Sequence, residues 1–294
     1  MNTKELVIKK ENIVNTFFIG WLSFLATLKI SFKQIIIPAI GQLFGIFMIS
    51  LAPILEYREM IDIRSTPDGW LYIFLSLTGL AVFLYFLWRY FVVLAGVNLL
   101  ARDIYDDRAI ANLSFYISDI TRKKWSYFRF LIGYTLITTI FVAMSSGIIY
   151  LAQKIVIYDF LTSIANILLM FIQTMLLLGY VLFSNIAIQG YVFNRIIGFN
   201  RTIAKIITFI KKHFVQLTLL CIITLCFSNI IAYLIQGIIT LLITNPLNLY
   251  PDDSIAIAIR FSIGLIINTF VIVLMQHIFA RYYLVAEQDE VRMF

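Results

Sequence analysis

Charge is scarce in this chain of 294 residues. Asp, Glu, Lys and Arg together make up 13% of it, about half of what a soluble domain carries. No water-facing surface could be covered with so little polar material. Acid is scarcer still: no Asp or Glu stands between Asp159 and Asp252, and no apolar run holds the buried carboxylate that proton-coupled carriers use. The two cysteines, Cys221 and Cys226, are five residues apart in one apolar run. On a helix they point about 140° apart, which excludes a bridge between them and leaves them as reduced packing residues. The two histidines, His213 and His277, lack the companions that a metal centre or a Ser/His/Asp set requires. Each is read as hydrogen-bonded packing rather than as a proton carrier. There is no Walker motif, so any dependence on ATP would need a partner chain. The chain is therefore expected to be no enzyme and to hold no cofactor and no metal.

What is present is apolar. Hydrophobic residues make up 61% of the chain, aromatic residues 16%, and the mean hydropathy is +0.93. Residues 35–55 contain no charge, enough to cross a hydrocarbon core of about 30 Å. Further runs lie at about 70–92, 130–152, 160–183, 215–240 and 256–280. The expected fold class is all-α: a polytopic membrane protein with six transmembrane helices in three hairpins, forming a single integral membrane domain over 1–294. Pro38 is expected in the first turn of the first span, where its missing N–H costs nothing. The second apolar run persists to Leu100, too long for one crossing, so its end must tilt or run beyond the core. Ser145, Ser146, Gly147 and Gly133 are small residues that let a neighbour approach the third span closely.

Between the runs lie three stretches read as interfacial amphipathic helices, at about 13–33, 109–129 and 194–213. The last, NRIIGFNRTIAKIITFIKKH, carries Arg195, Arg201, Lys205, Lys211 and Lys212 without an acid. At about 100° per residue its isoleucines gather on one side and Arg201, Lys205 and Lys212 on the other. Such a helix lies in the membrane interface with its cations toward anionic headgroups. With Arg122, Lys123 and Lys124, which stand beside the aromatic belt of Trp125, Tyr127 and Phe128, these are the candidate headgroup contacts. The stretch 13–33 follows basic residues and could pass for a signal peptide. It has no small-x-small cleavage site, and another span follows at once, so it is read as retained.

The net charge of +7 could point to nucleic acid, but the cations sit at the ends of apolar runs rather than along a groove. Lipid is the expected polyanion, and no nucleic-acid partner is expected. On the alternation of six spans, 18 Lys and Arg fall on one side and four on the other, with Arg89 set apart as ambiguous. That split is the positive-inside signature and puts both termini in the cytoplasm. Asp103, Asp106 and Asp107 lack the companion ligands of a metal loop and read as a solvated turn. The order of basic amphipathic stretch, span, outer loop and span recurs three times, near 13–100, 109–189 and 194–280. It is either a duplication or the alternation that any even-span protein shows.

This layout resembles a family, the YciC-like bacterial inner-membrane proteins and the related membrane domain attached to some glycerophosphodiester phosphodiesterases. The resemblance is carried by LLARDIYDD after the second span, GFNRTIAKIITFIKKHF before the fifth and FARYYLVAEQDE at the end. It implies a bacterial cytoplasmic-membrane protein concerned with envelope or lipid homeostasis, and it brings no catalytic motif. Two functions stay open. One is a non-enzymatic lipid-handling or scaffold factor. The other is a transporter or permease subunit that needs a partner ATPase, with Arg89, Gln236 and Asn268 as its candidate intramembrane polar site. Gln173, Asn229 and Gln276 also lie at membrane depth, where such amides commonly tie helices together.

Overall fold

The computed structural model describes residues 13–57, 66–106, 111–154, 159–193, 199–239 and 254–292. Among these the elements are all helical: α1 (Ile13–Tyr57), α2 (Thr66–Tyr105), α3 (Leu113–Arg122), α4 (Lys124–Lys154), α5 (Asp159–Phe193), α6 (Phe199–Lys212), α7 (Phe214–Ile239) and α8 (Ser254–Arg292). Six of them, α1, α2, α4, α5, α7 and α8, are long and apolar enough to cross a membrane. Helix is the only form that hides the main-chain polar groups of so apolar a segment within itself.

The first of these differs from the sequence reading. Residues 13–33 and 35–55 are not two separate helices; they belong to one helix of 45 residues. At 1.5 Å per residue it is about 67 Å long, roughly twice the hydrocarbon core. Pro38 consequently lies deep inside α1 and not in a first turn, and Pro53 lies about one turn before its C-terminal end. Prolines are tolerated inside a helix in apolar surroundings where neighbouring helices or local adjustment re-satisfy the freed carbonyls. Lys29 and Lys33 look like a boundary in sequence, but both stand on the exposed face of α1 and interrupt nothing. The expected helix at 109–129 is also divided differently. α3 ends at Arg122, Lys123 adopts φ −101° and ψ 27°, and 124–129 already belong to α4.

α1 and α2 pack antiparallel at very short range. A Cβ on Gly45 would lie 2.7 Å from the Phe83 amide nitrogen, and one on Gly79 would lie 2.9 Å from the Gly45 carbonyl oxygen. Gly41 and Gly45 form a G-x-x-x-G pair, the spacing that lets two backbones meet in lipid, where hydrophobic drive between helices is absent. α8 runs antiparallel along the first half of α1, with the Phe32 and Phe270 ring centroids 5.5 Å apart. α7 joins them through Trp21 and Phe227, 4.9 Å apart. α4 and α5 form the hairpin expected from their short connection, with Phe130 stacked on Tyr191 at 4.4 Å.

Burial is concentrated toward one end of the bundle. The buried side chains of α2 cluster at 92–101, those of α4 at 127–134, those of α5 at 182–192 and those of α8 at 273–286. α3 and α6 pack at that same end. Tyr116 of α3 donates to Asp103 Oδ2 of α2 at 2.8 Å, and Lys205 of α6 pairs with Glu287 of α8. The far halves of α2, α4 and α5 turn most of their large apolar side chains outward, Trp70, Phe74, Leu136 and Met170 among them.

Candidate functional site

The packed end is held by a buried polar seam joining four helices. Asn98 of α2 donates through Nδ2 to Gln276 Oε1 of α8 at 2.8 Å and also to the Leu94 carbonyl at 2.9 Å. Gln276 donates through Nε2 to Asn185 Oδ1 of α5 at 3.4 Å, and the Gln276 main-chain carbonyl accepts from Gln189 Nε2 at 3.2 Å. The seam continues to α1. His277 Nδ1 lies 3.2 Å from Ser23 Oγ and His277 Nε2 3.3 Å from Thr27 Oγ1.

Hydrogen-bond accounting assigns the tautomer of His277. The Thr27 hydroxyl already donates to the Ser23 and Phe24 carbonyls, at 3.0 and 3.1 Å, so toward the imidazole it can only accept. His277 Nε2 therefore carries the proton, and Nδ1 accepts from Ser23. A neutral ring satisfies both contacts. Tyr105 closes this side by donating to the His277 carbonyl at 3.2 Å, and Arg281 stands over the Tyr105 ring at 5.1 Å. Asn98 Oδ1 and Gln189 Oε1 are buried and accept from no described residue. The seam is thus closed but for two amide oxygens, which is the arrangement of helix ties in apolar surroundings rather than of an open passage.

The candidate intramembrane polar residues lie elsewhere. Arg89 on α2 and Asn268 on α8 are both exposed, and neither joins the seam. Gln236 belongs to α7, and its side chain lies outside the described residues. Among the other amides noted in sequence, Asn229 is exposed and Gln173 half-buried, while Gln276 is the centre of the seam. Asn98, Asn185 and Gln189 were not singled out as a group. Their signal was faint: each is a lone amide near the basic end of an apolar run, and nothing in the order of the chain says that the three converge.

The basic residues collect at the seam's end of the molecule. α6 rests on α5 and α8 through Thr202, Ile206 and Phe209, all buried. The Phe209 ring lies 4.5 Å from Tyr283, and His213 Nδ1 lies 3.1 Å from the Tyr282 hydroxyl. The opposite face leaves Arg201, Lys211 and Lys212 exposed. Lys205, paired with Glu287, is half-buried, and Arg195 lies outside the described residues. Arg122, Lys123 and Lys124 are exposed at the α3–α4 corner, which is joined to α5 by the 2.7 Å contact between Ser126 and Tyr191 hydroxyls. Asp103 is no free ligand, being bonded to Tyr116 and lying 3.4 Å from Arg102. Burial first, and then the bond to Asp103, raise the Tyr116 phenol above its ordinary pKa, so it stays a donor.

Among the described residues no group of three His, Cys, Asp or Glu could hold a metal ion. One cavity, about 310 Å³, lies between α1, α7 and α8 and is apolar apart from Ser228. No family model, no curated protein and no solved structure matches the chain. The YciC-like resemblance therefore rests on the sequence layout alone.

Proposed function

We propose that this is a non-enzymatic lipid-handling or scaffold protein of the bacterial cytoplasmic membrane, with both termini in the cytoplasm and its basic end held against anionic headgroups. The observation that carries the reading is the gathering of exposed Arg122, Lys123, Lys124, Arg201, Lys211 and Lys212 at one end of six apolar helices. α6 is already fixed on α5 and α8 by its buried stripe, so its cations are presented without an ordering cost at the moment of binding. The seam supports the same reading. The polar groups between the helices bond to one another, and Arg89 and Asn268 take no part in that network. The family layout, with its implied role in envelope or lipid homeostasis, agrees.

The test is purification in native-lipid particles, followed by mass spectrometry of everything retained. The unaltered protein is expected to enrich anionic lipids over the bulk membrane. Each basic residue near a charged surface contributes about 1 kcal/mol, so a chain carrying Arg201→Gln, Lys211→Gln and Lys212→Gln should lose most of that enrichment. A stoichiometric ATPase in the preparation, with no lipid enrichment, would overturn the reading in favour of a permease subunit.

A further inference from the structure

The cavity between α1, α7 and α8 has features that general membrane packing does not require. Trp21, Leu25, Leu28 and Phe32 of α1 form one wall, Phe270 of α8 stands opposite, and Ser228 of α7 lies among them. Its volume of about 310 Å³ falls within the range of small-molecule sites, roughly 300–1,000 Å³. Leu25 and Phe32 are 45% and 48% exposed, so the groove opens along the outer side of α1. On that lip stands a cation. Leu25, Lys29 and Phe32 recur at i, i+4 and i+7, one stripe of the helix, and Lys33 follows Lys29 by one further turn. Both lysines are exposed, and neither makes an ion pair with a described residue.

Ser228 gives the independent observation. It is 4% exposed, and its hydroxyl has no partner among the described residues. Thr224, one turn earlier on the same helix, donates to the Leu220 carbonyl at 2.7 Å. A buried hydroxyl left unmade costs about 1–3 kcal/mol, so an unpartnered one lining an otherwise apolar groove points to an acceptor supplied from outside the chain. An apolar slot, Lys29 beside its open edge with Lys33 one turn further on, and one buried donor complement a hydrocarbon chain, an anionic head and an ester carbonyl.

We infer that this groove holds one acyl chain of an anionic phospholipid from the surrounding bilayer, with the headgroup on Lys29 and Lys33 and the ester linkage within reach of Ser228. The inference deepens the lipid-handling reading and rests on it. It adds a specific bound lipid, at a place distinct from the basic end formed by α6 and the α3–α4 corner.

Trp21 in the groove wall supplies the readout. A variant with Trp70, Trp88 and Trp125 replaced by Phe keeps one indole, and acyl chains carrying bromine quench it on contact. The protein is reconstituted in phosphatidylcholine vesicles doped with brominated phosphatidylglycerol or, separately, with brominated phosphatidylcholine. The anionic lipid is expected to quench at lower mole fraction, by about fivefold per lysine engaged. Lys29→Gln with Lys33→Gln should bring the two lipids level, and Ser228→Leu, which fills the slot, should lower quenching by both. The lysine pair is exposed and decides the question even if the serine variant fails to fold.

Equal quenching by both lipids in the otherwise unaltered chain would overturn the inference, since the groove would then hold bulk lipid. Absence of quenching by either would overturn it in favour of a protein cover such as a second copy. Persistence of the preference after the lysine changes would overturn it as well. Loss of lipid enrichment at α6 with the Trp21 preference intact would remove the basic-end reading alone. The converse would remove the groove alone.

Discussion

Gln276 uses its whole amide: Oε1 accepts from Asn98 and Nε2 reaches Asn185, while its own carbonyl accepts from Gln189. Of these, the 2.8 Å bond to Asn98 has the geometry of a strong contact, whereas the 3.4 Å approach to Asn185 is near the limit. Replacing Gln276 by Leu leaves one N–H of the buried Asn98 amide without its partner, the other still donating to the Leu94 carbonyl. The expected loss is about 1–3 kcal/mol, read as a lower unfolding midpoint in detergent. In a double-mutant cycle of Asn98→Ala and Gln276→Ala, the coupling should fall at about 0.6–1.7 kcal/mol, the range of such bonds between membrane helices. Zero coupling would mean that the bond contributes nothing to stability.

At the scale of the helix, glycine positions set how closely partners meet. A side chain at Gly45 would collide with the backbone of Phe83, which cannot swing aside as a side-chain tip could. Gly45→Val should therefore cost about 1–3 kcal/mol, as overpacking does, while the same change at Gly147, where nothing lies within 4 Å, should cost far less. Paired thermal-stability measurements on the two variants check this. The pair Gly41 and Gly45 was not singled out in the sequence, although small residues four apart in an apolar run carry a recognised meaning; at Gly147, which was, an added Cβ would meet nothing within 4 Å. The six runs were readable, since length and apolarity are properties of the chain itself. The continuity of α1 was not. Lys29, Lys33 and Pro38 mimic a boundary, and only packing against α2 and α8 decides that they interrupt nothing. The seam was hidden for the same cause. A lone Asn98 or Gln189 looks like any amide in a span, and its meaning lies in what three other helices bring to meet it. α6 was the intermediate case: its cationic face followed from spacing, but that Thr202, Ile206 and Phe209 would rest on protein did not.

For the molecule as a whole, the charge split among its loops predicts an orientation that can be measured directly. In a background of Cys221→Ala and Cys226→Ala, a cysteine replacing exposed Asn200 on α6 should escape a membrane-impermeant reagent added to intact cells. One replacing Ser65, in the connection between α1 and α2 that lies outside the described residues, should react. The reverse pattern would invert the map and move the basic end to the outer leaflet. The α4–α5 hairpin joins the rest of the bundle chiefly through 126–134 and 182–193, while its far half carries exposed Ile140, Tyr150, Ile167 and Met170. A hairpin clamped at one end is a lever. When a bilayer thickens or thins, tilting a helix to match it costs fractions of a kcal/mol per Å, so a hairpin packed along one half can adjust its exposed half while the packed end keeps its contacts.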